Sequence, residues 1–98
     1  MIPGSVGRLV EGIVVASAAT ITPRSGEITR VTGTTQINTI NPPLGINMNQ
    51  LIFLIPTDGG VALGTSGNIL VGITMAQNRC TALFWLKSQQ KWYIDNGV

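Results

Sequence analysis

Ile28-Thr29-Arg30-Val31-Thr32-Gly33-Thr34-Thr35-Gln36-Ile37-Asn38-Thr39-Ile40 decides the fold of this chain. β-branched side chains hold χ1 stiffly and sit well on a pleated surface, so this run favours strand over helix. Gly33 is expected to break it into two short strands, and Asn41-Pro42-Pro43 ends it. The threonine hydroxyls bond to one another or to nearby backbone, which keeps the exposed face wet without charge. A polar, uncharged β surface of this kind suits strands that face other protein chains. It reads as scaffold.

Outward from that run, apolar residues nowhere recur at three-four spacing over a long window. Glycine and proline interrupt the chain about every ten residues, the spacing of short strands in a sandwich, barrel or solenoid-like element. The expected fold is all-β: a small antiparallel β-sandwich or barrel-like module over residues 11–98, behind an extended N-terminal arm over residues 1–10. Strands are expected at residues 9–16 and 19–22, followed by a turn at Pro23-Arg24-Ser25-Gly26. Leu51-Ile52-Phe53-Leu54-Ile55 is continuously apolar and is expected to be buried on both faces. Asp58-Gly59 signals a hairpin into Val61-Ala62-Leu63. A meander then continues through strands at residues 68–74, 81–86 and 91–95, with turns at residues 64–67, 77–79 and 88–90.

The composition excludes several functions. Only 10% of the 98 residues are charged, against about 25% in ordinary soluble domains. So poorly charged a surface favours burial against other subunits, and the chain is expected to be a homo-oligomer. The cations Arg8, Arg24, Arg30, Arg79, Lys87 and Lys91 are scattered, so no nucleic-acid partner is expected. No stretch is long enough to span a bilayer, and no membrane partner is expected. Glu11 and Gly12 interrupt the apolar run at residues 9–19, which is therefore not read as a signal peptide.

The chain has one cysteine and no histidine, which rules out an intrachain disulfide and leaves no metal-ligand set. Cys80 is expected to be a small buried hydrophobe. The carboxylates Glu11, Glu27, Asp58 and Asp95 lie far apart, and no nucleophile has a histidine to activate it. The glycine pairs lack the Lys-Ser/Thr of a phosphate loop. Neither an enzyme nor a cofactor is expected.

Taken in order, these residues resemble a β module found in bacteriophage particle proteins, both small capsid decoration (cement) proteins and parts of tail fibres and tailspikes. The likeness runs through Ala18-Ala19-Thr20-Ile21 and Val31-Thr32-Gly33-Thr34-Thr35-Gln36-Ile37-Asn38-Thr39-Ile40. It continues with Gly45, Leu51-Ile52-Phe53-Leu54, Gly67-Asn68-Ile69, residues 81–86 and Lys91-Trp92-Tyr93. It covers most of the chain and rests on the order of elements. The last turn departs from it, with Ser88-Gln89-Gln90 where the module favours Asp-Gly.

The resemblance implies a structural virion protein made in the host cytoplasm. It would bind and stabilise the outer surface of the phage head as a homotrimer, with the major capsid protein as partner. The alternative is a tail-fibre or tailspike-associated structural or glycan-binding module. Ile2, Pro3, Val6, Leu9 and Val10 are the expected capsid-docking arm, because Pro3, Gly4 and Gly7 discourage early packing while the apolar side chains want a partner. A start at Met1 followed by such an arm suits a free-standing protein that docks onto a lattice. Phe53, Phe84, Trp85, Trp92 and Tyr93 are the expected core or interface anchors, a role preferred over glycan stacking.

Overall fold

The first half of the threonine-rich run forms an interior strand of a mixed sheet, and the second half crosses to the opposite layer. The computed structural model describes residues 10–95. Among these, the strands are β1 (Val10–Ala16), β2 (Thr20–Ile21), β3 (Glu27–Thr32), β4 (Thr39–Ile40), β5 (Gln50–Pro56), β6 (Val61–Leu63), β7 (Ile73–Met75), β8 (Thr81–Leu86) and β9 (Lys91–Asp95). Five of them form one sheet in the order β1-β3-β5-β8-β9, while β2 pairs with β4 and β6 with β7. The fold is all-β, as the periodicity predicts.

The pairing differs from a purely antiparallel module. β1, β3 and β5 run parallel, as do β2 and β4, and an isolated parallel bridge joins Ile37 to Leu63. Successive passes of the chain therefore stack like coils of a short solenoid. Only β5-β8-β9 and β6-β7 are antiparallel. The turn residues mislead here because Gly and Pro mark where the chain bends, not which strand it joins next. Parallel neighbours need a crossover, and the short pieces β2, β4 and the Ile37 bridge supply it in place of helices.

Gly33 is the bend between the layers. Its φ is +71°, and a Cβ there would lie 2.9 Å from the Ser17 hydroxyl. Its N–H donates to Asp58 Oδ2 at 2.7 Å. Asp58 thus holds the neighbouring bend, and no hairpin follows it, since β5 and β6 lie in different sheets. The strand expected at residues 68–74 also shrinks. Ile73–Met75 is strand, whereas Ile69 makes a single parallel bridge to Trp92.

β5 alternates instead of burying both faces. Ile52 and Leu54 are fully buried, Leu51 is 39% exposed, and Phe53 and Ile55 are half-buried. A continuous apolar run signals two covered faces only when both layers exist, and among the described residues no second layer packs on this face of the sheet. The core lies on the other face. Val31, Ile52, Leu54, Leu83, Trp85 and Trp92 from the large sheet meet Ile21, Ile37, Ile40, Val61, Leu63, Ile69 and Met75 from the opposite layer. Thr29 is also buried there, and its hydroxyl has no hydrogen-bond partner. It sits opposite the β1 bulge, where the register slips between Glu11 and Val14.

Asn68 closes the second layer. Its Oδ1 accepts from Ile40 N–H at 2.9 Å and its Nδ2 donates to Ile40 O at 2.7 Å. One side-chain amide so presents to β4 the donor and acceptor that another strand would offer. Its own carbonyl accepts from Trp92 N–H at 2.8 Å, which ties the same residue to β9. Gly67 lets the loop come this close, because a Cβ there would overlap Asn38 O and Thr39 Oγ1.

Two substitutions test these assignments in opposite directions. Asn68→Ala leaves the Ile40 amide without its partner and is expected to cost about 2 kcal/mol, read as a lower urea midpoint with an unchanged slope. Thr29→Val keeps the shape and removes a buried unpaired hydroxyl. It is expected to stabilise by about 1 kcal/mol, raising Tm by roughly 4–8 °C.

Candidate interaction surfaces

The five aromatics divide by strand parity. Trp85 and Trp92 point inward as a cross-strand pair, with ring centroids 5.4 Å apart and planes at 61°. Both indole N–H groups find carbonyls: Trp85 Nε1 donates to Ile46 O at 2.9 Å, and Trp92 Nε1 to Ile40 O at 2.8 Å. Buried and satisfied, neither is placed to stack a sugar from solvent. Phe84 and Tyr93 pair on the other face, stacked at 6.0 Å and within 7° of parallel. Phe53 lies half-buried on that same side.

That outer face carries Val14, Ile28, Leu51, Phe53, Phe84 and Tyr93, which the strand register sets on one side of the five-stranded sheet. Its main charge feature is the Arg30 Nε–Glu11 Oε2 pair at 2.8 Å, with both side chains well exposed. Such a pair contributes at most about 1 kcal/mol. β1 is an edge strand, with no partner on its far side among the described residues. Val10 belongs to it, paired with Glu27 and 66% exposed, and is strand where an arm residue is expected. Ile2, Pro3, Val6 and Leu9 lie outside the described residues.

A second apolar surface is the loop between β4 and β5. Leu44, Ile46 and Met48 are each 52% exposed, and residues 41–50 contain no charge. Its backbone is nevertheless held firmly. The Gln50 amide accepts from Leu44 N–H at 2.9 Å and donates to Gly45 O at 2.8 Å and Met48 O at 3.0 Å. Gln90 Nε2 joins Trp85 in donating to Ile46 O, at 3.0 Å. The loop is a fixed tip that displays three apolar side chains. From the sequence, Asn41-Pro42-Pro43-Leu44-Gly45 reads as a stiff connection with polyproline character, not as a surface that displays apolar side chains. The visible signal is the alternation of Leu44, Ile46 and Met48 with Gly45, Asn47 and Asn49.

A groove of about 440 Å³ lies at the other end of β8 and β9, between their ends and the β7–β8 connection. Phe53, Ile73, Met75, Ala82 and Ile94 supply its apolar lining, with Arg79, Cys80 and Asp95 also present. Cys80 is exposed, which corrects the expectation of a buried hydrophobe. It stands in the connection before β8, after Asn78 with φ +62°, and is not yet within the sheet. Partial burial still raises its thiol pKa above the ordinary value. Among the described residues no helix is long and apolar enough to cross a membrane, and no group of His, Cys, Asp or Glu has metal-site geometry.

A scan against protein-family models, a search of curated proteins and a search of solved structures each found no match.

The raised Cys80 pKa has a direct readout. Iodoacetamide alkylation of the folded protein is expected to follow a pH profile whose midpoint lies above the roughly 8.5 of a free thiol, returning to it in urea. A folded-state midpoint at or below the free-thiol value contradicts the burial assigned to this side chain.

Proposed function

We propose that this chain is a structural protein of a bacteriophage particle, a capsid decoration protein that binds the outer surface of the head as a homo-oligomer. The observation that carries the reading is the mismatch between a well-filled core and an unclothed exterior. Nine large apolar side chains are exposed among the described residues, in a chain with ten charged residues in all. Three of them, Leu44, Ile46 and Met48, share one loop, and clustered apolar surface marks interaction sites on soluble proteins. The likeness of the Val31–Ile40, Gly67–Ile69 and Trp92-Tyr93 elements to phage particle modules supplies the biological setting. The role is mechanical, with no chemistry asked of the four dispersed carboxylates.

In this reading the chain assembles as a trimer and meets the major capsid protein partly through residues 1–9, which lead directly into the edge strand β1. Strand addition to a neighbouring sheet edge uses main-chain hydrogen bonds for affinity and alternate side chains for register. The parallel stacking of β1, β3 and β5 favours a second reading, a tail-fibre or tailspike-associated module, since those proteins are built from longer stacks. The inward-facing tryptophans weigh against a glycan-binding version of it.

Three measurements test the proposal. Quantitative mass spectrometry of purified virions is expected to find hundreds of copies per particle; a handful places the protein in the tail, and absence refutes both readings. Light scattering is expected to give about three times the 10.4 kDa chain mass, and a stable monomer at micromolar concentration refutes the oligomer. Deleting residues 1–7 is expected to leave assembly intact and abolish capsid decoration, whereas unchanged decoration removes the arm from the docking role.

A further inference from the structure

We infer that residues 1–9 of this chain lie back across the outer face of its own five-stranded sheet, over the row formed by Leu51, Phe84 and Tyr93. The inference goes beyond the proposed function, since it concerns the free chain and holds in any biological setting. Cross-strand pairing sets the row. Leu51 stands opposite Phe84 and Phe84 opposite Tyr93, with the two rings stacked at 6.0 Å. All three point away from the core, because their strand neighbours Ile52, Leu83, Trp85 and Trp92 point into it. Leu51 is 39% exposed, and among the described residues no second layer packs on this face.

The start of β1 brings the preceding chain to the same place. Val10 pairs with Glu27, and the adjoining Gly26 N–H donates to Leu51 O at 2.8 Å. The chain ahead of Val10 therefore meets the sheet at the level of the row, on the edge strand two places from β5 and four from β9. Strands lie about 4.8 Å apart, so these are spans of about 10 and 19 Å. The segment is Met1-Ile2-Pro3-Gly4-Ser5-Val6-Gly7-Arg8-Leu9, with no carboxylate and with Pro3, Val6 and Leu9 at intervals of three. A polyproline-type chain has about three residues per turn and rises about 9 Å per turn, so those three side chains share one face. With Leu9 beside β1, Val6 reaches Leu51 and Phe84, and Pro3 reaches Tyr93. Proline-bearing extended segments dock on aromatic surfaces in this way, with little chain entropy left to lose. The chain's own segment is preferred to a second copy as occupant, because so short a tether holds it beside the row at an effective concentration on the order of millimolar. The row is thus hidden in the free chain, and segment and row become available to a partner together.

The chain has one tyrosine and one cysteine, which makes the test direct. Val6→Cys with Leu51→Cys, in a Cys80→Ser background, is expected to form a 6–51 disulfide under oxidised glutathione. A mixture of isotopically light and heavy protein identifies that link as lying within one chain. Val6→Cys beside the native Cys80 is expected to form none, because Cys80 stands four residues ahead of Phe84, roughly 13 Å from the row. Without any cysteine substitution, deleting residues 1–7 is expected to speed acetylation of Tyr93 by N-acetylimidazole several-fold, with an unchanged circular dichroism spectrum. No 6–51 link, one that forms only between chains, or a 6–80 link that forms equally well overturns the inference. An unchanged Tyr93 rate in the shortened chain overturns it too, whatever the disulfides show. None of these results bears on copy number in virions, so the two proposals fail separately.

Discussion

The second layer of this fold depends on one carboxamide. β4 has only two residues, far too few to be stable alone, and one of its edges is satisfied by β2. The other edge meets Asn68, whose side chain reproduces the donor and acceptor of a missing strand. Trp92 adds its indole N–H to the same Ile40 carbonyl and its backbone N–H to the Asn68 carbonyl. Three segments far apart in sequence are thereby fixed to one another, and the isoleucines of β2 and β4 are held against the large sheet. A half-buried amide satisfied on both its atoms is worth more than its count of bonds, because the backbone groups of the buried Ile40 would bear a desolvation cost if orphaned.

How much of this was legible in the sequence depended on whether the signal was local. The β character of residues 28–40, the break at Gly33 and the final pair of strands follow from β-branching, backbone freedom and turn chemistry, all properties of neighbours along the chain. Gln90, at φ +55°, even completes a tight turn without the expected Asp-Gly. The parallel order of β1, β3 and β5 has no such local signature, and the bend at Asp58 reads as a hairpin although β5 and β6 lie in different sheets, whereas the bend at Gly64 does lead to an antiparallel partner in β7. The apolar run of β5 misled in a related way, since hydrophobicity reports the wish to be covered, not whether a cover is present.

The candidate surfaces show the same division. Parity within β8 and β9 sorts the aromatics once the strands are known, so Trp85 and Trp92 turn inward together and Phe84 and Tyr93 outward. The groove could not be read from sequence, because its walls come from three separated segments. Cys80 differs from its expected burial by one residue of boundary: it stands just before β8, in the bend, and is exposed there.

The two ends of the parallel stack are unlike. After β5 the direction of pairing reverses, and the β8–β9 hairpin seals that side with antiparallel strands. Among the described residues only β1 lies before β3, kinked by a bulge between Glu11 and Val14, and the main-chain groups of its far edge have no strand partner there. The stack therefore has polarity, one finished end and one that accepts another layer. Evolution or design can lengthen such a body by duplicating a coil ahead of β1, whereas an insertion beyond β5 must break the seal. Growth in this architecture is one-way.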